Sequence, residues 1–280
     1  MTIAAGFVCR DGIVMCVDSQ VSAAGFKWPT EKIASKYILR DPIMISGAGY
    51  THGIEVATQK IFRAVADGMD SEECVVSAVE AILRDINEND LAHQLSNSPG
   101  DLVFNLIIAF RAKDGRYSLH QSDGSLVKRV EDFCVIGSGL VVNTFAHALY
   151  RRSLLGFSSP VMSTSEAQFL AAYLTHLAKR QLDSVGGPTK VAMFGGDGDI
   201  CHVDDWENPL LEEMFSWHEK TSAALMFSCC DPEYPEYEFS KRIDSFAMAM
   251  KDKKAEFRRL GAATVGEIFG TKMREPNTDA

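Results

Sequence analysis

Three side chains near the start of the chain, those of Thr2, Asp18 and Lys32, could together perform nucleophilic chemistry. A threonine hydroxyl is a weak nucleophile and needs a nearby base to take its proton. When threonine is the first residue, its own α-amino group can be that base, because the pKa of an α-amine is about 7.7–8.0 and that of lysine is about 10.4. A lysine ammonium beside the amine would lower the amine's pKa further, and an aspartate would hold that lysine in its charged form.

Each of these residues also has a purely structural interpretation. Thr2 could be an ordinary residue of the first strand, Asp18 could cap a turn at a strand end, and Lys32 could be a surface lysine. Lys36, on the same predicted strand, is an alternative to Lys32 as the relevant cation. Only Met1 precedes Thr2, and methionine before a small residue is a good substrate for methionine aminopeptidase. We therefore expect removal of Met1 to expose Thr2, with no propeptide needed.

Pairs of strands alternate with pairs of helices along most of the chain. Asp11-Gly12 between two apolar runs is the strongest short-range hairpin signal. Apolar residues recur at helical spacing after Thr51 and stop at Gly68, which predicts a helix with a glycine end. The predicted strands are 2–9, 12–18, 31–39, 42–47, 102–111, 116–121, 125–130, 132–136, 189–195 and 199–204, and the predicted helices are 51–68, 71–87, 139–155 and 165–182.

Short links within every strand pair predict antiparallel sheets, which excludes a Rossmann or barrel plan. We predict an α+β fold over residues 1–204, a four-layer αββα sandwich of two antiparallel sheets between helix layers. Residues 205–280 would form a C-terminal helical extension with helices at 207–217 and 238–260 and a proline-rich break between them. The last residues, from Arg274, would be a disordered tail.

Composition excludes several classes of function. The net charge of −10 and the absence of a basic run argue against nucleic-acid binding, and no apolar stretch is long enough to span a membrane. The start of the chain has no signal-peptide pattern, and the 7 cysteines are scattered, as in buried thiols of a cytoplasmic protein. No His-x-x-x-His pair or phosphate loop occurs, so we expect no cofactor and no metal. The acidic group Asp197, Asp199, Asp204 and Asp205 could bind a cation, but a solvated turn is favoured.

Five motifs, in order, carry a family resemblance. The run from Thr2 to Asp18 resembles, without a gap, the first hairpin of proteasome β-type subunits and their HslV-like and Anbu-like bacterial relatives, which are N-terminal-nucleophile (Ntn) hydrolases. The others resemble that family's catalytic lysine followed by isoleucine, its glycine turn before the first helix, its Gly-Ser-Gly and its later Asp and Ser before glycines. They are Lys32-Ile33, Ile45-Ser-Gly-Ala-Gly49, Ile136-Gly-Ser-Gly139 and Leu182-Asp-Ser-Val-Gly-Gly187.

The resemblance implies a role for each matching residue. Thr2 would be the nucleophile, Lys32 and Asp18 its charged partners, and the backbone N–H of Gly47 the donor to the oxyanion. A polar shell around the amine, and a pocket for the substrate residue before the scissile bond, would complete the site. The shell would contain Ser138 and Asp183, with Ser184 as a further candidate. The pocket would contain Ile45 and Val21.

The sequence departs from the family pattern at three places. Ser184 follows Asp183 directly, whereas the family usually spaces its Asp and Ser by two residues. The spacing from Asp18 to Lys32 is slightly short, so the loop holding Gly25, Trp28 and Pro29 differs, and the extension after residue 205 is longer than usual.

The resemblance implies a cytoplasmic threonine endopeptidase that hydrolyses peptide bonds of peptide or protein substrates. It would work in a homo-oligomeric ring or helical assembly, with a regulatory or unfoldase partner as a further expectation. The alternatives are a non-catalytic structural subunit of the same architecture and an Ntn amidase that acts on a small molecule. No nucleic acid or membrane partner is expected.

Overall fold

The computed structural model describes residues 2–23, 26–38, 41–66, 71–91, 103–112, 115–137, 161–195, 198–203 and 207–269. They fall into two compact units, Met1–Glu212 and Glu213–Ala280. The strands are β1 (Ile3–Cys9), β2 (Gly12–Asp18), β3 (Gln20–Ala23), β4 (Phe26–Pro29), β5 (Ile33–Ile38), β6 (Asp41–Gly49), β7 (Phe104–Arg111), β8 (Tyr117–Asp123), β9 (Leu126–Val130), β10 (Phe133–Gly137), β11 (Thr189–Gly195) and β12 (Ile200–His202). The helices are α1 (Thr51–Ala66), α2 (Glu72–Asp85), α3 (Thr164–Gln181), α4 (Glu207–Cys230) and α5 (Glu236–Phe269), with a π-helical turn at Ile86–Asp90 after α2.

Two antiparallel sheets form the centre of the first unit. One has the strand order β10-β1-β2-β11-β12 and the other the order β5-β6-β7-β8-β9. The register places Ile3 opposite Gly137 and Asp18 opposite Thr189, so the ends of four strands meet at one end of the first sheet. This register is what brings the start of the chain close to the end of β2 and the start of β11.

Three layers of buried side chains separate four layers of secondary structure. The middle layer lies between the sheets and includes Met15, Met44 and Ile107. A second layer packs the first sheet against α3, and a third packs the second sheet against α1 and α2. The predicted α+β fold, with two antiparallel sheets between helix layers, is therefore confirmed.

Local sequence explains where the helices begin. The Ser71 hydroxyl accepts a hydrogen bond from the Cys74 N–H and so caps α2. Ser163 and Glu166 form a reciprocal capping box at the start of α3, where each side chain accepts a bond from the backbone of the other. These caps satisfy backbone donors that the first helical turn leaves without partners.

One part of the chain differs from the sequence prediction, and one predicted helix lies where the structure describes no residues. The predicted loop after Asp18 contains the hairpin β3–β4, in which Val21 pairs with Trp28. Strands of four residues are too short to show a clear alternation of apolar and polar side chains. The predicted helix at 139–155 lies outside the described residues.

Burial makes three of the cysteine thiols chemically inert. It raises the pKa of Cys9 to about 12, of Cys16 to about 11 and of Cys134 to about 12. All 7 cysteines are free thiols. Because the thiolate is the reactive form, these three buried residues act as apolar core and have no role in chemistry.

The second unit contains the greater part of α4 and α5. The Trp217 and Phe246 rings stack at 5.5 Å, and the Arg242 guanidinium donates to the Ser228 hydroxyl at 2.7 Å. Helix α4 is longer than the predicted 207–217. Helix α5 contains the predicted helix 238–260 and extends beyond it at both ends. Among the described residues, no helix has both the length and the apolar character that a membrane span requires.

A buried polar cluster ties the start of α2 to the second sheet. The Glu72 carboxylate accepts from the Ser118 hydroxyl at 2.8 Å and from Arg129 at 2.9 Å, and it lies 3.2 Å from His120 Nε2. The His120 ring stacks on Phe110 and is almost fully buried. Burial lowers the pKa of His120, and the attraction of Glu72 offsets this only in part.

This pKa shift predicts a loss of stability in mild acid. Because the native pKa of His120 lies below the unfolded value of about 6.5, the unfolded chain binds more protons as the pH falls below that value. The free energy of unfolding should therefore be full above about pH 6.5 and decrease below it. We expect His120→Phe to show a smaller decrease, measured by urea unfolding at pH 7.5 and 5.5. His176, whose pKa burial also lowers, should leave a residual effect. An unchanged decrease in the variant would contradict the assignment to His120.

Candidate active site

Thr2 lies immediately before β1, and a glycine lets the chain turn tightly beside it. Gly137, the last residue of β10, has φ +102°. A Cβ at Gly137 would lie 1.7 Å from the Thr2 carbonyl oxygen, a distance that no side chain can occupy. Glycine is therefore required at this position both for its backbone conformation and for the close approach of Thr2.

Asp18 ends β2 and is fully buried. Its Oδ1 accepts from the Ile3 N–H at 3.0 Å, and its Oδ2 accepts from the Gly186 N–H at 3.3 Å. The carboxylate thus connects the start of β1 to the segment before β11. Hydrogen bonds from backbone N–H groups hold the carboxylate in one orientation.

The Lys32 ammonium bridges Thr2 and Asp18. Its Nζ lies 2.9 Å from Thr2 Oγ1, 2.9 Å from Asp18 Oδ1 and 2.5 Å from the Gln20 carbonyl oxygen. An ammonium has three hydrogens, so these three acceptors use its full capacity. The Lys32 side chain is only 7% exposed, and the Ser46 hydroxyl donates to its carbonyl oxygen at 2.9 Å.

Burial is the main electrostatic influence on Lys32. Removal from water lowers the pKa of Lys32, while the charge and the hydrogen bond of Asp18 act in the opposite direction. The result is a cation held in a dry site, where its interaction with the Thr2 oxygen is stronger than it would be in water. Lys36, the alternative lysine, lies with its ammonium 6.0 Å from the centre of the Phe62 ring on α1.

The glycine turn before α1 lies on β6, which pairs with β5 next to Lys32. Gly47 pairs with Leu106, and a Cβ at this position would meet the Ile54 side chain at 2.7 Å. Ile45 is 1% exposed and packs in the core layer beneath α1 and α2. Its role in substrate binding therefore stays a prediction, and the structure places its side chain in that core.

The remaining predicted residues fall at three places. Val21 lies on β3, directly after Gln20, whose carbonyl accepts from Lys32. Asp183 is exposed on the segment after α3, three residues before Gly186. Ser138 lies outside the described residues, as do Asp197, Asp204 and Asp205. In the part of the chain that the structure describes, no group of three metal-ligating side chains occurs.

Two contributors to the site were not identified as such from the sequence. They are the carbonyl of Gln20 and the N–H of Gly186, which bind Lys32 and Asp18. Both act through the backbone, so their side-chain types gave no signal. The Gly-Gly pair at 186–187 was the one indication that a backbone approaches closely here.

Comparison with known proteins supports the same fold. The family model described as proteasome subunit matches residues 2–184. The chain belongs to the proteasome subunit family. No curated protein matches the sequence.

Solved structures of the Anbu type share the proteasome-like fold of this chain. The helical assembly of the Anbu complex from Pseudomonas aeruginosa matches with a TM-score of 0.66 and 14% sequence identity. The match covers 84% of this chain and 99% of the Anbu chain. Anbu (ancestral β-subunit) from Yersinia bercovieri has a TM-score of 0.65 at 13% identity, over 79% and 96%. An Anbu (Gly-1) mutant from Hyphomicrobium sp. strain MC1 has a TM-score of 0.62 at 16% identity, over 80% and 97%. At these identities the likeness shows the fold alone.

The close contact between Gly137 and Thr2 predicts that one methyl group added at Gly137 would strongly lower the free energy of unfolding. Gly137→Ala should reduce the free energy of unfolding by about 3 kcal/mol or more, because it adds a clash with the Thr2 carbonyl to the backbone strain. Gly124→Ala is the matched control, since Gly124 has φ +62° and open space around it. It should cost only about 1–2 kcal/mol. Urea unfolding of both variants measures the difference, and equal costs would show that Thr2 does not press on Gly137.

Proposed function

We propose that the chain is a threonine-type peptidase in which Thr2, as the first residue of the mature chain, is the nucleophile. The observation that carries this proposal is the buried Lys32 ammonium, which donates to Thr2 Oγ1 and Asp18 Oδ1 at 2.9 Å each. A hydroxyl that accepts a hydrogen bond from a buried cation is stabilised as negative charge develops on its oxygen. An ordinary strand threonine has no need of a buried ion pair, which is costly to desolvate.

Lys32 supports the reaction as a donor, and the α-amine of Thr2 is the base. All three ammonium hydrogens of Lys32 have acceptors, so the site is built for its charged form. The positive charge of Lys32 beside the α-amine disfavours the ammonium form of that amine and lowers its pKa. A free amine near neutral pH is then available to take the hydroxyl proton.

The proposed reaction has two halves. In the first, Thr2 Oγ1 bonds to the substrate carbonyl carbon while the α-amine takes its proton. The tetrahedral intermediate then collapses to an ester on Thr2, and the leaving amine takes the proton from the α-ammonium. In the second half, water bonds to the ester carbonyl carbon while the α-amine takes a proton from it. The bond from that carbon to Thr2 Oγ1 then breaks, the acid product leaves, and the α-ammonium returns the proton to Thr2 Oγ1. The Thr–N-terminus pair is a recognised form of this chemistry.

The other predicted residues complete the proposed site. The Gly47 N–H would donate to the oxyanion, and Ser138 and Asp183 would orient the α-amine. Val21, on β3 beside Gln20, would contact the substrate. Ile45 packs under α1, so it would shape the substrate pocket through the position of β6.

A peptide epoxyketone tests the nucleophile and the base together, because its stable adduct needs both a hydroxyl and a free α-amine on one residue. We expect intact mass and N-terminal sequencing to show a chain that starts at Thr2 and gains the mass of the probe. Thr2→Ala should not react. Lys32→Met should lower the labelling rate by about 100-fold or more, as removal of a charged stabilising donor does. Lys36→Met, which changes an exposed lysine on β5, the strand that follows Lys32, should label like the wild type.

The other outcomes distinguish the alternatives. A wild-type chain that starts at Thr2 and stays unlabelled would contradict the peptidase proposal and favour a non-catalytic subunit. Labelling by a small electrophile of the same type, with none by the peptide, would favour an amidase that acts on a small molecule. Fold alone does not decide between these functions.

We further propose that the protein assembles with copies of itself. The Pseudomonas relative is described as a helical assembly, and this chain exposes large apolar side chains on α4 and α5. Met226, Phe227, Tyr237 and Met248 are 66%, 78%, 76% and 65% exposed, respectively. Met226 and Phe227 are neighbours in the chain, and large apolar residues exposed side by side are typical of surfaces that contact another protein.

Sedimentation velocity tests this surface. We expect the wild type to sediment as an oligomer, and Phe227→Ser combined with Met226→Ser to shift it toward a monomer, because the change removes apolar contact area. Leu126→Ser is the matched control, since Leu126 is 58% exposed on β9. It should leave the oligomer unchanged. A monomeric wild type, or equal effects of both changes, would contradict the proposal.

A further inference from the structure

The segment of residues 182–188, between α3 and β11, forms one wall of the candidate site. The Gly186 N–H donates to Asp18 Oδ2 at 3.3 Å, and the Gly186 carbonyl accepts from the Gln20 N–H at 3.0 Å. The Pro188 carbonyl accepts from the Ser19 N–H at 3.2 Å. This segment therefore touches two of the three groups that bind Lys32, the Asp18 carboxylate and the backbone of Gln20. Any displacement of the segment would displace the acceptors of the ammonium.

A hydrogen bond joins two residues that flank this segment, one on each side. Lys179, in the last turn of α3, donates from Nζ to Thr189 Oγ1 at 2.8 Å. Thr189 is the first residue of β11, is fully buried and lies opposite Asp18 in the β2–β11 register. Directly opposed residues of an antiparallel pair have side chains on the same face, with Cβ atoms about 4.5–5.5 Å apart. The Lys179–Thr189 bond therefore closes the segment directly beside Asp18.

A third residue, Glu212 on α4, completes this contact. One oxygen of its carboxylate, Oε1, accepts from Lys179 Nζ at 2.5 Å and from Thr189 Oγ1 at 2.6 Å. The Lys179 and Glu212 side chains are only 14% and 24% exposed. Glu212 lies beyond the residues that the proteasome subunit model matches, which end at 184. The three residues Lys179, Thr189 and Glu212 are called the clasp below.

We propose that Glu212 is a positioning residue of the active site, acting through the clasp to hold segment 182–188 against Asp18 and Gln20. This inference rests on the proposed function. It gives helix α4 a part in orienting Lys32. The helix thus completes the site without touching the substrate.

The balance of charges around Lys179 supports this role, in addition to the geometry. Glu212 neutralises Lys179, which donates to Thr189, the residue opposite Asp18. Without that carboxylate, Lys179 would be a largely buried cation without its acidic partner. Glu212→Gln would keep an oxygen that can accept from the Thr189 hydroxyl, but it would remove the charge that neutralises Lys179. Loss of Glu212 should therefore loosen the segment and weaken the hold of Asp18 on Lys32.

The matched pair Glu212→Gln and Glu213→Gln tests the proposal, since Glu213 is the exposed neighbour on the same helix. We expect Glu212→Gln to lower the maximal rate of epoxyketone labelling by about 10- to 100-fold, as the loss of supporting partners does, with little change in the concentration of half-maximal rate. Glu213→Gln should label like the wild type. Thr189→Val, which removes only the hydroxyl, should reproduce the loss, and Thr189→Ser, which keeps it, should restore the rate.

Amide hydrogen exchange gives a readout that does not depend on catalysis. In Glu212→Gln and Thr189→Val, the amides of Gly186 and Gln20 should exchange at least about 10-fold faster, while those of the central strands β6 and β7 stay unchanged. A role only in overall stability would instead raise exchange in all strands together. It would also lower labelling only in proportion to the fraction of unfolded protein.

The outcomes separate this inference from the proposed function. If wild-type protein is not labelled, the peptidase proposal fails, and selective exchange at Gly186 and Gln20 still decides whether the clasp holds the segment. If the wild type is labelled and both Glu212→Gln and Thr189→Val label at its rate, with unchanged exchange, the inference is overturned. A uniform rise in exchange in both variants would also overturn it.

Discussion

The Lys32 ammonium is a charge removed from water, and its surroundings are arranged to compensate for that removal. Its acceptors come from the start of β1, the end of β2 and the start of β3. Removing one partner of a buried pair leaves an uncompensated charge, which typically costs about 3–5 kcal/mol. The three segments must therefore stay in register with one another, and the fold around them meets that requirement with closely paired strands and glycines at the contacts.

The antiparallel register of the first sheet supplies this alignment. Ile3 lies opposite Gly137 and Asp18 lies opposite Thr189, so β10, β1, β2 and β11 converge at one end. The two sheets share a dense core in which Met15, Met44 and Ala192 are fully buried, which leaves little room for one sheet to slide on the other. The site therefore belongs to a rigid part of the molecule, as preorganised electrostatic stabilisation requires.

Two largely buried lysines would each be unfavourable without a carboxylate to compensate the charge. Lys32 has Asp18, and Lys179 has Glu212 from α4. Both pairs are largely buried, so solvent and salt screen them less than they screen surface pairs such as Lys60–Asp85. Glu212, on α4, thus contributes a charge that the sheets alone do not provide. It lies beyond residue 184, where the match to the family model ends.

The sequence by itself determined the elements with local signals and the residues of distinctive chemistry. Asp11-Gly12 fixed the first hairpin, Ser71 fixed the start of α2, and Thr2, Asp18 and Lys32 could be chosen by residue type and family resemblance. The short β3–β4 hairpin carried no clear alternation, and the burial of Ile45 beneath α1 depended on which face of β6 the helices cover. Only the tertiary structure decided that Gln20 and Gly186 bind through their backbones and that Glu212 reaches Thr189. Those contacts join residues far apart in the chain, and no local pattern encodes a distance across a fold.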